Sequence, residues 1–177
     1  MLFRSIGQGF NLATPLQICL MTAATVNGGK LFRPQLLEAI TDPDGKKIKE
    51  FEPIIDGQVL GTPAYLNLIR DALTAVVNEP HGTGSAARLK GISVGGKTGT
   101  AQVIHLSTYK DAKEEDIPYK YRDHAWFTCF APTENPEIAI TVLIEHGGHG
   151  GSAAGPIAKQ VLERYFAQKA VAEKSKP

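Results

Sequence analysis

At 177 residues the chain has the length of about one domain, and its 19 Lys and Arg against 18 Asp and Glu leave a formal charge of +1. That balance excludes a nucleic-acid binder held mainly by phosphate contacts, and 42% apolar with 21% charged residues excludes a disordered chain. The longest strongly apolar run, Ile138 to Ile144, falls far short of the roughly 20 residues of a membrane span.

In chain order, the first predicted element is a helix over 15–26. Thr14-Pro15-Leu16-Gln17 combines a capping hydroxyl, a proline at the first helical position and a glutamine three residues after the cap. Leu16, Cys19, Leu20, Ala23 and Ala24 recur at helical spacing, and Asn27-Gly28-Gly29 ends the element. A hairpin follows, with strands at Leu36–Ile40 and Ile48–Phe51 around the turn Asp42-Pro43-Asp44-Gly45. Thr62-Pro63 starts a second helix with the stripe Leu66, Ile69, Leu73, Val76 and Val77, stopped by Pro80-His81-Gly82. Strands are predicted at 95–104, 125–131 and 138–145, the last two joined by Pro132–Pro136. Between the first two lies a polar insertion, His105 to His124, whose Lys113–Asp116 charge run reads as a solvated loop. A glycine-rich turn, Gly147 to Gly151, leads into a last helix with Ile157, Val161, Leu162 and Tyr165, Ser152 serving as its cap. Residues 1–167 form one unit, and 168–177 read as a frayed tail. The fold class is α+β, an antiparallel sheet flanked by helices.

Cys19 and Cys129 sit in apolar runs and read as buried free thiols, too few for a disulfide framework. His146 and His149 flank two glycines on a turn without a third ligand, so no metal is expected; His81, His105 and His124 read as surface positions. The N-terminus carries no basic segment followed by an apolar stretch.

Chemistry concentrates at Gly91–Thr100, GISVGGKTGT. Gly91, Gly96, Lys97 and Thr98 match the phosphate-loop pattern, but that loop requires a strand before its first glycine and a helix beginning at the lysine. Loop residues precede this segment. Gly99 and the β-branched residues after it favour a strand. On a strand, Thr98 and Thr100 share a face, Gly99 leaves the backbone open to close approach, and a lysine with two hydroxyls at one edge suits a carboxylate.

The K-T-G triplet is one of three signatures of the serine penicillin-binding and β-lactamase fold, beside S-x-x-K and S-D-N. It has company here. Ser5-Ile6-Gly7-Gln8-Gly9, Ala13–Gln17, Asn27-Gly28-Gly29 with Pro34, Gly82–Ala87, Lys97–Gln102, Arg122–Phe127, Phe130-Ala131-Pro132 and Ile144–Gly148 together resemble class B penicillin-binding proteins. In order and spacing they are most similar to the elongation-type D,D-transpeptidases of the penicillin-binding protein 2 group.

The resemblance implies a partial penicillin-binding protein and β-lactamase-like fold, with Lys97, Thr98, Gly99 and Thr100 binding the carboxylate of a peptidoglycan D-Ala-D-Ala stem peptide or a β-lactam. It also implies that the Thr100 N–H supplies half of an oxyanion hole, that no cofactor is used, and that a cell-wall glycosyltransferase is a partner. The implied location is the extracytoplasmic face of the inner membrane. In the family S-x-x-K and S-x-N precede K-T-G. Here no S-x-N or S-x-D occurs, and the single S-x-x-K, Ser107–Lys110, follows K-T-G in the polar insertion, where serine and lysine lack a helix to align them. The chain therefore reads as a C-terminal transpeptidase segment, inactive alone; the alternative is a non-catalytic binding domain of the same fold. The family sheet also places a strand beside 138–145 that precedes the nucleophile motif. Its absence would leave an uncharged edge that two copies could pair across.

Overall fold

The computed structural model describes residues 12–103 and 116–174. Helix α1 spans Pro15–Val26 with the expected reciprocal cap: the Gln17 N–H donates to Thr14 Oγ1 at 3.2 Å, and the Thr14 N–H donates to Gln17 Oε1 at 2.8 Å. Gly28 and Gly29, both at positive φ, turn the chain into strand β1 (Lys30–Phe32). The hairpin forms as β2 (Ala39–Thr41) and β3 (Lys47–Glu50). Asp42 Oδ1 accepts the Asp44 and Lys46 N–H groups across its turn, and Gly45 takes φ 82°. The first strand begins at Ala39, later than its composition suggests, because Leu36 is fully exposed and packs on nothing. Strand β4 (Ile55–Gln58) pairs antiparallel with β1, Lys30 opposite Gln58, a ribbon without alternating hydrophobicity to announce it.

Helix α2 covers Pro63–Asn78 behind the Thr62 cap. The main sheet has strand order β5 (Gly95–Ala101), β6 (His124–Ala131), β7 (Ile138–Ile144), antiparallel throughout. Helix α3 runs from Gly150 to Lys174, two departures from expectation. Ser152 lies inside its first turn and donates its hydroxyl to the His149 carbonyl at 3.2 Å, so it does not cap the helix N–H groups. Residues 168–174, expected to fray, continue the helix, with Lys169 ion-paired to Glu137 after β6.

Strand alternation divides the sheet into two faces. Ala125, Phe127, Cys129 and Ala131 of β6 are buried against Ala154, Ala158 and Leu162 of α3 and Val77 of α2. On the opposite face α1 packs over β6 and β7, and a hydroxyl chain crosses the layer: Thr22 to Thr128 at 2.8 Å and Thr128 to Thr141 at 2.9 Å. With a helix on each face, β7 needs apolar side chains in both directions, which explains its unbroken run Ile138–Ile144. Among the described residues β7 pairs only with β6. Cys129 is buried as expected, and burial pushes its thiol up to about 12; Cys19 is half-buried and donates to the Ala139 carbonyl at 3.4 Å.

Candidate functional site

Lys97 lies in the middle of β5, not at a helix start, so the phosphate-loop geometry is absent from this segment. Register pairs Thr98 with Phe127, Gly99 with Trp126 and Thr100 with Ala125, which sets both threonines on the face that α3 covers. Lys97, opposite Thr128, has its side chain on the other face, and its exposed ammonium curls back to the Thr98 carbonyl at 2.7 Å. Residues two apart on a strand share a backbone edge as well as a face, so the Thr100 N–H points to the same edge as the Thr98 carbonyl and the lysine head. Cation and one peptide N–H thus meet at one backbone edge, with the threonine side chains on the α3 face of the same short stretch.

Close packing holds this stretch. A side chain at Gly99 would put its Cβ 3.2 Å from Trp126 Cβ, so this glycine serves the β5–β6 contact as well as open backbone. The start of α3 sits directly over β5: a Cβ on Gly150 would lie 2.1 Å from the Trp126 carbonyl oxygen and 2.4 Å from that of Gly99. At Gly151 the corresponding contacts are the Thr83 carbonyl oxygen at 2.4 Å and Thr98 Cγ2 at 3.4 Å. Only glycine lets the helix come this near.

One member of the cluster is not assigned by sequence reasoning. Thr83, in the loop after α2, has its Oγ1 2.9 Å from Thr98 Oγ1. Its sequence signal is faint: a threonine between Gly82 and Gly84.

At the far end of β5, His124 departs from the surface reading. His124 is half-buried, and its Nδ1 accepts the His146 N–H at 2.9 Å. The His146 ring packs between His124 and Tyr119, with centroids 4.7 and 5.0 Å away, and its Nδ1 lies 3.0 Å from the Arg122 carbonyl. His146 takes φ 55°, an αL conformation secured by these contacts. Among the described residues no three His, Cys, Asp or Glu side chains converge as a metal site would require. His105 and the Ser107–Lys110 match lie outside the described residues.

The model of the penicillin-binding protein transpeptidase domain matches residues 2–163. The chain belongs to this family. It is 35% identical over 164 residues to the peptidoglycan D,D-transpeptidase MrdA of Salmonella typhimurium, an alignment covering 91% of this chain and 26% of that protein. Among solved structures, Pseudomonas aeruginosa PBP2 in complex with WCK 5153 superposes with TM-score 0.70 at 34% identity, over 93% of this chain and 33% of that one. Penicillin-binding protein A of Mycobacterium tuberculosis, as its ceftriaxone acyl-enzyme, gives TM-score 0.72 at 27% identity, covering 91% and 34%. The fold is therefore the penicillin-binding and β-lactamase-like one, with its antiparallel sheet between helices. The chain spans about a quarter of the length of the curated relative and about a third of the solved chains.

Proposed function

We propose that β5 is the substrate-carboxylate strand of a peptidoglycan D,D-transpeptidase. In this reading the Lys97 ammonium and the Thr98 and Thr100 hydroxyls receive the C-terminal carboxylate of a D-Ala-D-Ala stem peptide, or the carboxylate of a β-lactam, through charge-assisted hydrogen bonds. Gly99 keeps the backbone accessible, and the Thr100 N–H is half of the oxyanion hole. The observation that carries the reading is the convergence of the Lys97 head on the Thr98 carbonyl, at the backbone edge that Thr100 shares.

Acyl transfer of this kind needs an activated serine beside a base. The sequence supports neither: it has no S-x-N, and its single S-x-x-K follows K-T-G. The nucleophile, its lysine and the second oxyanion donor come from polypeptide beyond these 177 residues, and the chain alone is inactive. Since losing one oxyanion donor typically costs about 10²–10³ in rate, binding without turnover is the expected behaviour. By the same family reading the complete protein works at the extracytoplasmic face of the inner membrane beside a glycosyltransferase, and two copies of this chain pair across the 138–145 edge. No helix among the described residues is long and apolar enough to cross a membrane.

Titration of the labelled chain with N-acetyl-D-Ala-D-Ala and with its C-terminal amide tests the site. Backbone amide shifts at 97–100 should respond to the acid, and the response should weaken at least fivefold in Lys97→Gln. Equal responses to acid and amide would refute carboxylate recognition.

A further inference from the structure

We propose that Thr83 is a positioning residue that aims the Thr98 hydroxyl at the carboxylate. The inference rests on the carboxylate reading of β5 and adds a group from a different part of the chain. A hydroxyl has one proton and two lone pairs. Within the Thr83–Thr98 pair one oxygen donates and the other accepts. If Thr98 donates to Thr83, no proton remains for an incoming carboxylate. If Thr83 donates, Thr98 accepts along that direction and its own proton is free to point outward. An anion beside Thr98 selects the second arrangement, and the Thr83 donor then strengthens the bond that Thr98 makes.

The loop is shaped to hold that donor. The Gly84 N–H bonds the Val76 carbonyl at 2.9 Å, tying the loop to the last turn of α2. A Cβ on Gly82 would sit 2.2 Å from the Val76 carbonyl oxygen. One on Gly84 would sit 3.2 Å from both Phe127 Cε2 and Val76 Cγ1. On the far side, the Thr83 carbonyl oxygen lies against Gly151 at the start of α3. Three close approaches of glycine therefore fix a residue whose own side chain is exposed. Close packing of the loop alone would not require a hydroxyl at 83; contact with Thr98 does.

The experiment is the acid and amide titration on the full 177-residue chain, with Thr83→Val, Thr83→Ser, Thr98→Val and the Thr83→Val/Thr98→Val double variant. Amide dispersion serves as the check that each remains folded. Thr83→Val should weaken the acid at least fivefold and leave the amide within twofold, whereas Thr83→Ser, which keeps the donor, should bind the acid within twofold of wild type. In the Thr98→Val background, Thr83→Val should add less than 1.5-fold. Wild-type affinity for the acid in Thr83→Val overturns the proposal and leaves the carboxylate reading standing. So does equal weakening of acid and amide, or a Thr83→Ser as impaired as Thr83→Val. If wild type itself fails to prefer acid over amide, the carboxylate reading falls and takes this inference with it. Should Thr83→Val unfold, Thr83→Ser alone decides: loss of acid preference there also overturns the proposal.

Discussion

Replacing Thr128 by valine removes one hydroxyl from the α1–sheet interface and keeps volume and β-branching. Thr128 stands in a chain of hydroxyls whose proton order sets the cost. In the order expected here the Thr22 hydroxyl donates to the Ile18 carbonyl at 2.9 Å and accepts from Thr128. Thr128 therefore gives its proton to Thr22 and accepts from Thr141, while the Ile140 carbonyl at 3.2 Å is a competing acceptor. Thr128→Val breaks both links at about 1 kcal/mol each, partly offset because Thr22 keeps its own acceptor and half-buried Thr141 can turn. The expected loss is about 1–2 kcal/mol, or a Tm lower by roughly 2–8 °C at this chain length. Thr22→Val also breaks two bonds, those to Ile18 and from Thr128, but the Ile18 carbonyl keeps its place in the helix ladder and the Thr128 proton swings to Ile140, so its loss should stay at about 0.5–1 kcal/mol. Urea titrations followed by far-UV circular dichroism on both single variants and the double variant give the comparison. A Thr22→Val loss equal to or above that of Thr128→Val would refute the proton assignment. So would strict additivity of the two, since coupled neighbours should deviate by about 0.5 kcal/mol or more.

Three further outcomes are expected. Incubation with benzylpenicillin should leave the intact mass of the 177-residue chain unchanged, and a stoichiometric acyl adduct, on Ser107 or elsewhere, would show that the chain carries its own nucleophile. Cys129 should resist iodoacetamide at pH 8 until the chain is unfolded; burial holds its thiol neutral up to about 12, against 9.0 when exposed, so its contribution to stability is intact below pH 9 and is lost as pH rises from there towards 12. If copies pair along β7, light scattering after size exclusion at tens of micromolar should give a dimer for wild type and a monomer for Val142→Lys, whereas a wild-type monomer would show that the edge stays unpaired.

Signals carried within a few residues determined much of this protein. Thr14 with Gln17 and Thr62 with Pro63 start their helices because cap and partner lie within one turn, and Asp42 bonds its own neighbours to make the β2–β3 turn. The choice between a phosphate loop and a strand at Lys97 was equally local, since Gly99 and the β-branched residues beyond it disfavour a helix. The fold and family were legible through motif order along the chain.

Tertiary structure alone decided the features whose partners lie far apart in sequence. The β1–β4 ribbon joins residues 30 and 58 and carries no periodicity, because its four-residue strand Ile55–Gln58 is mostly exposed. The His124–His146 contact forms only when β6 and β7 align, which turns an expected surface histidine and a turn histidine into half-buried partners. Helix α3 extends past Gln168 although its tail is small and charged, with Lys169 reaching Glu137 across the fold. Thr83 meets Thr98 because α2, β5 and α3 close around three glycines whose missing side chains have meaning only in the packed molecule. A hydrogen bond between loop and strand is set by how neighbouring backbones fit, and no local propensity encodes that distance.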